Sequence, residues 1–136
     1  MSDSLLDTNI LIRYLLKAPG YLDLLQQLDL AGELYISAMT RLEIVRGMRE
    51  HERQRTLSLF DSLQTIPITG EIADLAGEII RSWRDRGTNL GDADAIIAAS
   101  ALQNNLALVT TNARHFPMVE LAILQADEQG GLIPRP

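Results

Sequence analysis

Three acidic residues, far apart in the chain, stand where an α/β domain does its chemistry. Asp7 ends the short apolar run Ser4-Leu5-Leu6 and precedes Thr8-Asn9-Ile10-Leu11-Ile12. The simplest reading places it at the exit of a buried strand, just before a helix. In open α/β sheets ligands bind in the crevice beyond the carboxyl ends of the strands. Glu43 falls about two turns into the helix after a second strand. Asp94 opens the helix before a later strand, in Gly91-Asp92-Ala93-Asp94-Ala95-Ile96-Ile97-Ala98-Ala99. If the strands are parallel, their carboxyl ends share one edge and all three acids can converge there. Carboxylates a few ångströms apart raise one another's pKa, so the cluster is costly until a divalent cation relieves it. Hard oxygen ligands without His or Cys favour Mg²⁺ or Mn²⁺ over zinc. Such an ion lowers the pKa of a bound water and stabilises charge on a phosphate in transfer.

Each acid also has a structural role open to it. Asp7 can cap the helix that follows, a common task for Asp. Glu43 can pair with Arg46 one turn on, worth a few tenths of a kcal/mol, although its neighbours Leu42 and Ile44 favour burial. Asp92 is a natural helix cap. Asp94 suits a first helical turn, yet the helix behind it is too apolar for dipole compensation alone.

A fourth segment, Thr110-Thr111-Asn112-Ala113-Arg114-His115-Phe116, follows the last central strand and meets the same edge as Asp7. Asn112 can hold a water or a metal, and Thr111 can donate to a phosphate or an acid. The alternative is a turn with Asn112 as helix cap. His115, beside Phe116, reads as a packing or hydrogen-bonding residue rather than a catalytic base.

The elements that must position these groups alternate along the chain. Leu5-Leu6-Asp7 forms the first strand, and residues 9–16 a helix with Ile10, Leu11, Tyr14 and Leu15 on one face. Pro19-Gly20 breaks it, and a leucine-rich helix runs on to Gly32. Residues 33–36 make a second strand, and Ser37 caps a helix reaching about residue 50. A charged helix is expected over residues 51–63. Pro67 marks the following extended segment as a sheet edge. Thr69 caps a helix stopped by Gly87, an apolar helix spans about 93–103, and residues 107–110 form a strand. The continuous apolarity of these last two fits a parallel sheet covered on both faces.

Composition narrows the class. At 136 residues the chain is long enough for one domain with a sizeable core. The expectation is a domain over residues 1–126 and a flexible tail over 127–136, where Asp127-Glu128-Gln129-Gly130-Gly131 shows no packing pattern. There is no cysteine, which removes disulfides, thiolate zinc and thiol catalysis together. No basic leader is apparent. No apolar run reaches the about 18 residues of a membrane span, so a cytoplasmic location and no membrane partner are expected. The net charge of −6 argues against a broad phosphate-binding face. Lys17 is the sole lysine against eleven arginines. Arginine's planar fork suits phosphate, though codon bias explains the ratio as well.

The four segments in order resemble the PIN-domain family. Leu5-Leu6-Asp7-Thr8-Asn9, Thr40-Arg41-Leu42-Glu43, residues 94–101 and residues 108–116 carry the likeness across positions 4 to about 124. The compact size is most similar to the VapC-type toxins of toxin–antitoxin pairs. That resemblance implies a mostly parallel five-stranded sheet flanked by helices, and a Mg²⁺- or Mn²⁺-dependent endoribonuclease. It maps metal-binding acids onto Asp7, Glu43 and Asp94. The fourth family position, often Asp, falls on Asn112, which leaves one charge fewer and weakens the case for a second metal; Asp92 is the acid that can compensate. The family also implies a homodimer and a cognate antitoxin covering the acidic site.

Hydrolysis of an RNA phosphodiester is the leading expectation. Asp7, Glu43 and Asp94 hold the metal, while Thr8, Thr111 or Asn112 orients water or phosphate. Arg13, Arg46 and Arg114 are candidate contacts to RNA phosphates. Single-stranded or looped RNA suits a narrow edge crevice. The alternative is a noncatalytic PIN-like RNA-binding or regulatory module. A phosphoacceptor domain fits less well, because Lys17 is wrongly placed for a receiver and Asp7-Thr8-Asn9 lacks a second Asp. No glycine-rich phosphate loop supports nucleotide binding.

Overall fold

The computed structural model describes residues 2–134. Six strands form one sheet: β1 (Ser4–Leu6), β2 (Leu34–Ser37), β3 (Gln64–Ile66), β4 (Ala107–Thr110), β5 (Ile123–Ala126) and β6 (Leu132–Pro134). They lie in the order β3-β2-β1-β4-β5-β6. β1 to β5 pair in parallel, and β6 runs antiparallel to β5. Six helices connect them: α1 (Thr8–Leu15), α2 (Tyr21–Ala31), α3 (Ala38–Gly47), α4 (Arg53–Asp61), α5 (Gly70–Asp85) and α6 (Asp92–Gln103).

The chain moves outward from β1 through β2 to β3, then returns to lay β4 on the other side of β1. The strand order therefore reverses between β1 and β4. This is the switch point at which a parallel sheet opens a crevice beyond its carboxyl ends.

Alternation along each strand builds a core on both faces of the sheet. Leu5 and Leu108 pack with Ile97, Ala98 and Ala101 of α6 and Ile72 and Ile79 of α5. Leu6 and Val109 face the other way, onto Ile10, Leu11, Leu24, Leu28 and Phe60. The alanines of α6 let its backbone approach closely. Leu5, Leu6 and Leu108 are wholly buried, so truncating any of them to Ala costs about 2–5 kcal/mol.

Most element boundaries follow their local signals. Asp7 caps α1, Ser37 caps α3 through Met39 N–H, and Thr69 caps α5 through Ile72 N–H. Five expectations need correction. The sheet has six strands, not five, because Leu132-Ile133-Pro134 is too short and too proline-bound to signal a strand. Residues 127–134, read as a trailing tail, instead turn back onto the domain. Asp127 Oδ1 accepts from Gln129 N–H and Gly131 N–H, each at 2.8 Å. The Tyr21 hydroxyl donates to the Asp127 carbonyl at 2.8 Å. Residues 135–136 of that expected tail lie outside the described residues.

The helix expected to reach residue 50 ends at Gly47, after which Met48 is extended (φ −76°, ψ 153°). The charged helix expected over 51–63 is a 3₁₀ turn, Glu50–Glu52, followed by α4. Glu52 accepts from Arg49 N–H at 2.7 Å and so caps that turn itself. Asp92 is not the cap of α6. Gly91 takes that position, and its carbonyl already accepts from Ala95 N–H at 3.0 Å, which leaves Asp92 as the first, exposed helical residue.

Candidate active site

Asp7 leaves β1 at the switch point and turns directly into α1. Its backbone N–H bonds the Val109 carbonyl of β4 at 2.9 Å, which ties it to the neighbouring strand. Oδ1 accepts from Thr8 N–H at 2.8 Å and caps α1. Oδ2 accepts from the Thr110 hydroxyl at 2.7 Å. Capping therefore occupies one oxygen of Asp7, and the bond across to β4 uses the other. Only 7 % of Asp7 is exposed. Burial pushes its pKa up, the Thr110 and Thr8 hydrogen bonds oppose that, and the charges of Asp94 and Glu43 add to the rise.

Glu43 projects from the middle of α3, half-buried, and its Oε1 accepts from the Thr8 hydroxyl at 2.7 Å. Among the described residues it makes no ion pair with Arg46. Asp94 stands in the first turn of α6, also half-buried. Burial raises its pKa, His115 lowers it, and Glu43 raises it further. Three carboxylates from α1's cap, α3 and α6 therefore feel one another's charge across one edge of the sheet.

The segment after β4 completes the rim. Thr110 Oγ1 accepts from Asn112 N–H at 3.1 Å while donating to Asp7. Asn112 Nδ2 lies 3.1 Å from His115 Nε2, and His115 Nδ1 lies 3.7 Å from Asp94 Oδ2. His115 is exposed and bridges Asn112 toward Asp94, so it is the hydrogen-bonding residue that its sequence allowed and not a packing one.

The edge thus gathers Asp7, Thr8, Glu43, Asp94 and Asn112. Other candidates lie apart from this network. The Arg13 guanidinium sits 5.8 Å from the Tyr21 ring centre. Arg46 and Arg114 are exposed and form no ion pair among the described residues. Asp92 is exposed, and Thr111 is half-buried outside the hydrogen-bond network. Sequence reading missed Thr110 and Thr40. Thr40 Oγ1 lies 3.0 Å from Thr8 Oγ1. Their only signal was a hydroxyl in an apolar setting: Thr110 ends an apolar strand, and Thr40 sits one turn before Glu43.

No lysine or arginine among the described residues neutralises the three acids. The donor set is all oxygen and anionic, which suits a hard divalent cation. Among the described residues, no three acidic or histidine side chains close on one point tightly enough to grip a bare ion. Mg²⁺ keeps part of its water shell and needs only one or two carboxylates from a protein.

A parallel α/β sheet that assembles carboxylates at its switch point defines a class of acidic-pocket domains. The chain belongs to the PIN domain family, whose model matches residues 4–120. Ribonuclease VapC19 of Mycobacterium tuberculosis is 35 % identical over 84 % of this chain and 92 % of its own length. The structure of VapBC2 from Rickettsia felis, bound to a DNA fragment from its promoter, superposes with a TM-score of 0.81 at 25 % identity, covering 92 % of this chain and 99 % of that one. A toxin–antitoxin complex from Klebsiella pneumoniae gives a TM-score of 0.69 at 29 % identity, over 85 % of this chain and 92 % of that one.

Proposed function

We propose that this chain is a divalent-metal-dependent endoribonuclease, the toxin of a VapBC-type toxin–antitoxin pair. One observation carries the reading: Asp7, Glu43 and Asp94 sit within reach of one another's charge at the switch point, and among the described residues no lysine or arginine pairs with them. Relatives bearing the name ribonuclease VapC, and structural neighbours that are toxin–antitoxin complexes, support it.

Asp7, Glu43 and Asp94 hold Mg²⁺ or Mn²⁺ in this reading, with Asn112 as a neutral fourth group. When bound, the cation supplies Lewis acidity toward the scissile phosphate and an attacking water. The chain's own groups set the geometry. Thr110 and Thr8 N–H aim the two oxygens of Asp7, and the Thr8 hydroxyl aims Glu43. Asn112, steadied by His115, orients water or phosphate. Arg46 and Arg114 are exposed and form no ion pair among the described residues, and so are available to RNA phosphates. The partners are an RNA substrate, a cognate antitoxin and a second copy of the chain. Among the described residues no helix is long and apolar enough to cross a membrane, and the proposed location is the cytoplasm.

The test incubates purified protein with a pool of cellular RNAs and Mg²⁺ or Mn²⁺. Cleavage is expected, and is expected to vanish with EDTA and in folded Asp7→Asn or Asp94→Asn variants. Equal cleavage in all variants, metal or not, marks a contaminating nuclease and defeats the reading. RNA binding without cleavage under every condition replaces it with a noncatalytic module.

A further inference from the structure

Proton accounting at the Thr8 hydroxyl brings a further residue into the site. Thr40 stands on α3, one turn before Glu43, and is fully shielded from solvent (0 % exposed). Its Oγ1 lies 3.0 Å from Thr8 Oγ1. Thr8 in turn donates to Glu43 Oε1 at 2.7 Å. A hydroxyl carries one proton and two acceptor lone pairs, and an ionised carboxylate only accepts. The Thr8 proton is committed to Glu43, so the proton between the two threonines comes from Thr40. The chain of donors runs one way, from Thr40 through Thr8 to Glu43.

We propose that Thr40 is a positioning residue for Glu43, acting through Thr8; its consequence for catalysis rests on the nuclease reading above. A valine fills the same volume, so packing gives no reason for a hydroxyl at so dry a position. An unpartnered hydroxyl there is unfavourable, whereas one that donates to Thr8 fixes that rotor and polarises the bond onward to Glu43. Thr8 and Glu43 come from different helices, α1 and α3. The relay therefore locks the two helices that present Asp7 and Glu43 to the crevice.

The test compares wild type, Thr40→Ser and Thr40→Val, with Thr40→Cys, a weak donor, run in parallel. Proton NMR at low temperature follows the hydroxyl of Thr8, a residue only 7 % exposed. Thr40→Val is expected to stay folded and to shift that signal upfield, because the Thr8 oxygen no longer accepts from Thr40 and its bond onward to Glu43 weakens. It should also bind Mn²⁺ and turn over RNA about tenfold more weakly, with KM unchanged, while Thr40→Ser stays within about twofold of wild type. Thr40→Cys should fall between them. The proposal is overturned if Thr40→Val leaves the Thr8 signal unshifted and Mn²⁺ affinity at the wild-type value, or if Thr40→Ser behaves as Thr40→Val. Should wild type cleave no RNA, the nuclease reading fails while the hydroxyl signal still reports on the relay.

Discussion

The Thr110 hydroxyl donates to Asp7 Oδ2 at 2.7 Å across the switch point, joining the end of β4 to the exit of β1. The same hydroxyl oxygen accepts from Asn112 N–H. One side chain thus fixes the most buried acid of the site and the loop that forms its rim.

Removing that donor tests its role. Thr110→Val keeps the volume and leaves Asp7 Oδ2 without its partner. Support of this kind behind a metal-binding carboxylate is worth about 10- to 100-fold in metal affinity or activity. Thr110→Val should therefore lose Mn²⁺ affinity and RNA cleavage by that factor, and Thr110→Ser should keep both. Titration calorimetry and initial rates measure it; wild-type values in Thr110→Val would contradict the assignment.

The acids also set a pH dependence with a definite sign. Asp7 and Asp94 both have raised pKa values, chiefly through burial. Between the ordinary carboxylate value of 3.8 and their raised values, the folded chain binds more protons than the unfolded one. Stability then falls as pH rises through that window. Thermal melts in EDTA should show this decline, and Asp7→Asn should flatten it. A divalent ion binds the ionised form, so at about 100 times its Kd it should return about 2.7 kcal/mol to wild type above the window and little to Asp7→Asn. Parallel slopes for the two proteins would exclude Asp7 as the source.

The turn at residues 127–131 makes a separate, structural prediction. Gly20 has φ +86°, and a Cβ there would sit 1.7 Å from the Gln129 carbonyl oxygen. Gly87 has the same φ with open space around it. Gly20→Ala and Gly87→Ala therefore share backbone strain, and only the first collides with the turn. Urea denaturation should show Gly20→Ala the less stable of the two by about 1–3 kcal/mol. Equal losses would mean that the turn does not pack there in solution.

The legible parts of this protein were those written in local chemistry. Asp7, Ser37 and Thr69 announce helix starts because a short polar side chain satisfies orphan N–H groups wherever it occurs. Glu43 and Asp94 stood out because an acid in an apolar helix needs a reason. The boundaries near residues 47–53 were less clear, since the run Arg49-Glu50-His51-Glu52-Arg53 has no apolar period to mark where one helix ends and the next begins. β6 was invisible because three residues ending in Pro acquire strand character only by pairing with β5.

The amino-acid sequence alone determined the α/β class, the period-two and helical faces of the core, and which carboxylates needed explaining. Those follow from hydrophobic spacing and the cost of burying charge, which act over a few residues. Only the tertiary structure decided that Thr110, not Thr111, faces Asp7, that Thr40 supports Thr8, and that His115 turns toward Asp94. Each depends on which way a side chain points where strands and helices from distant segments meet, and strand register and helix packing, rather than neighbours in the chain, set that direction.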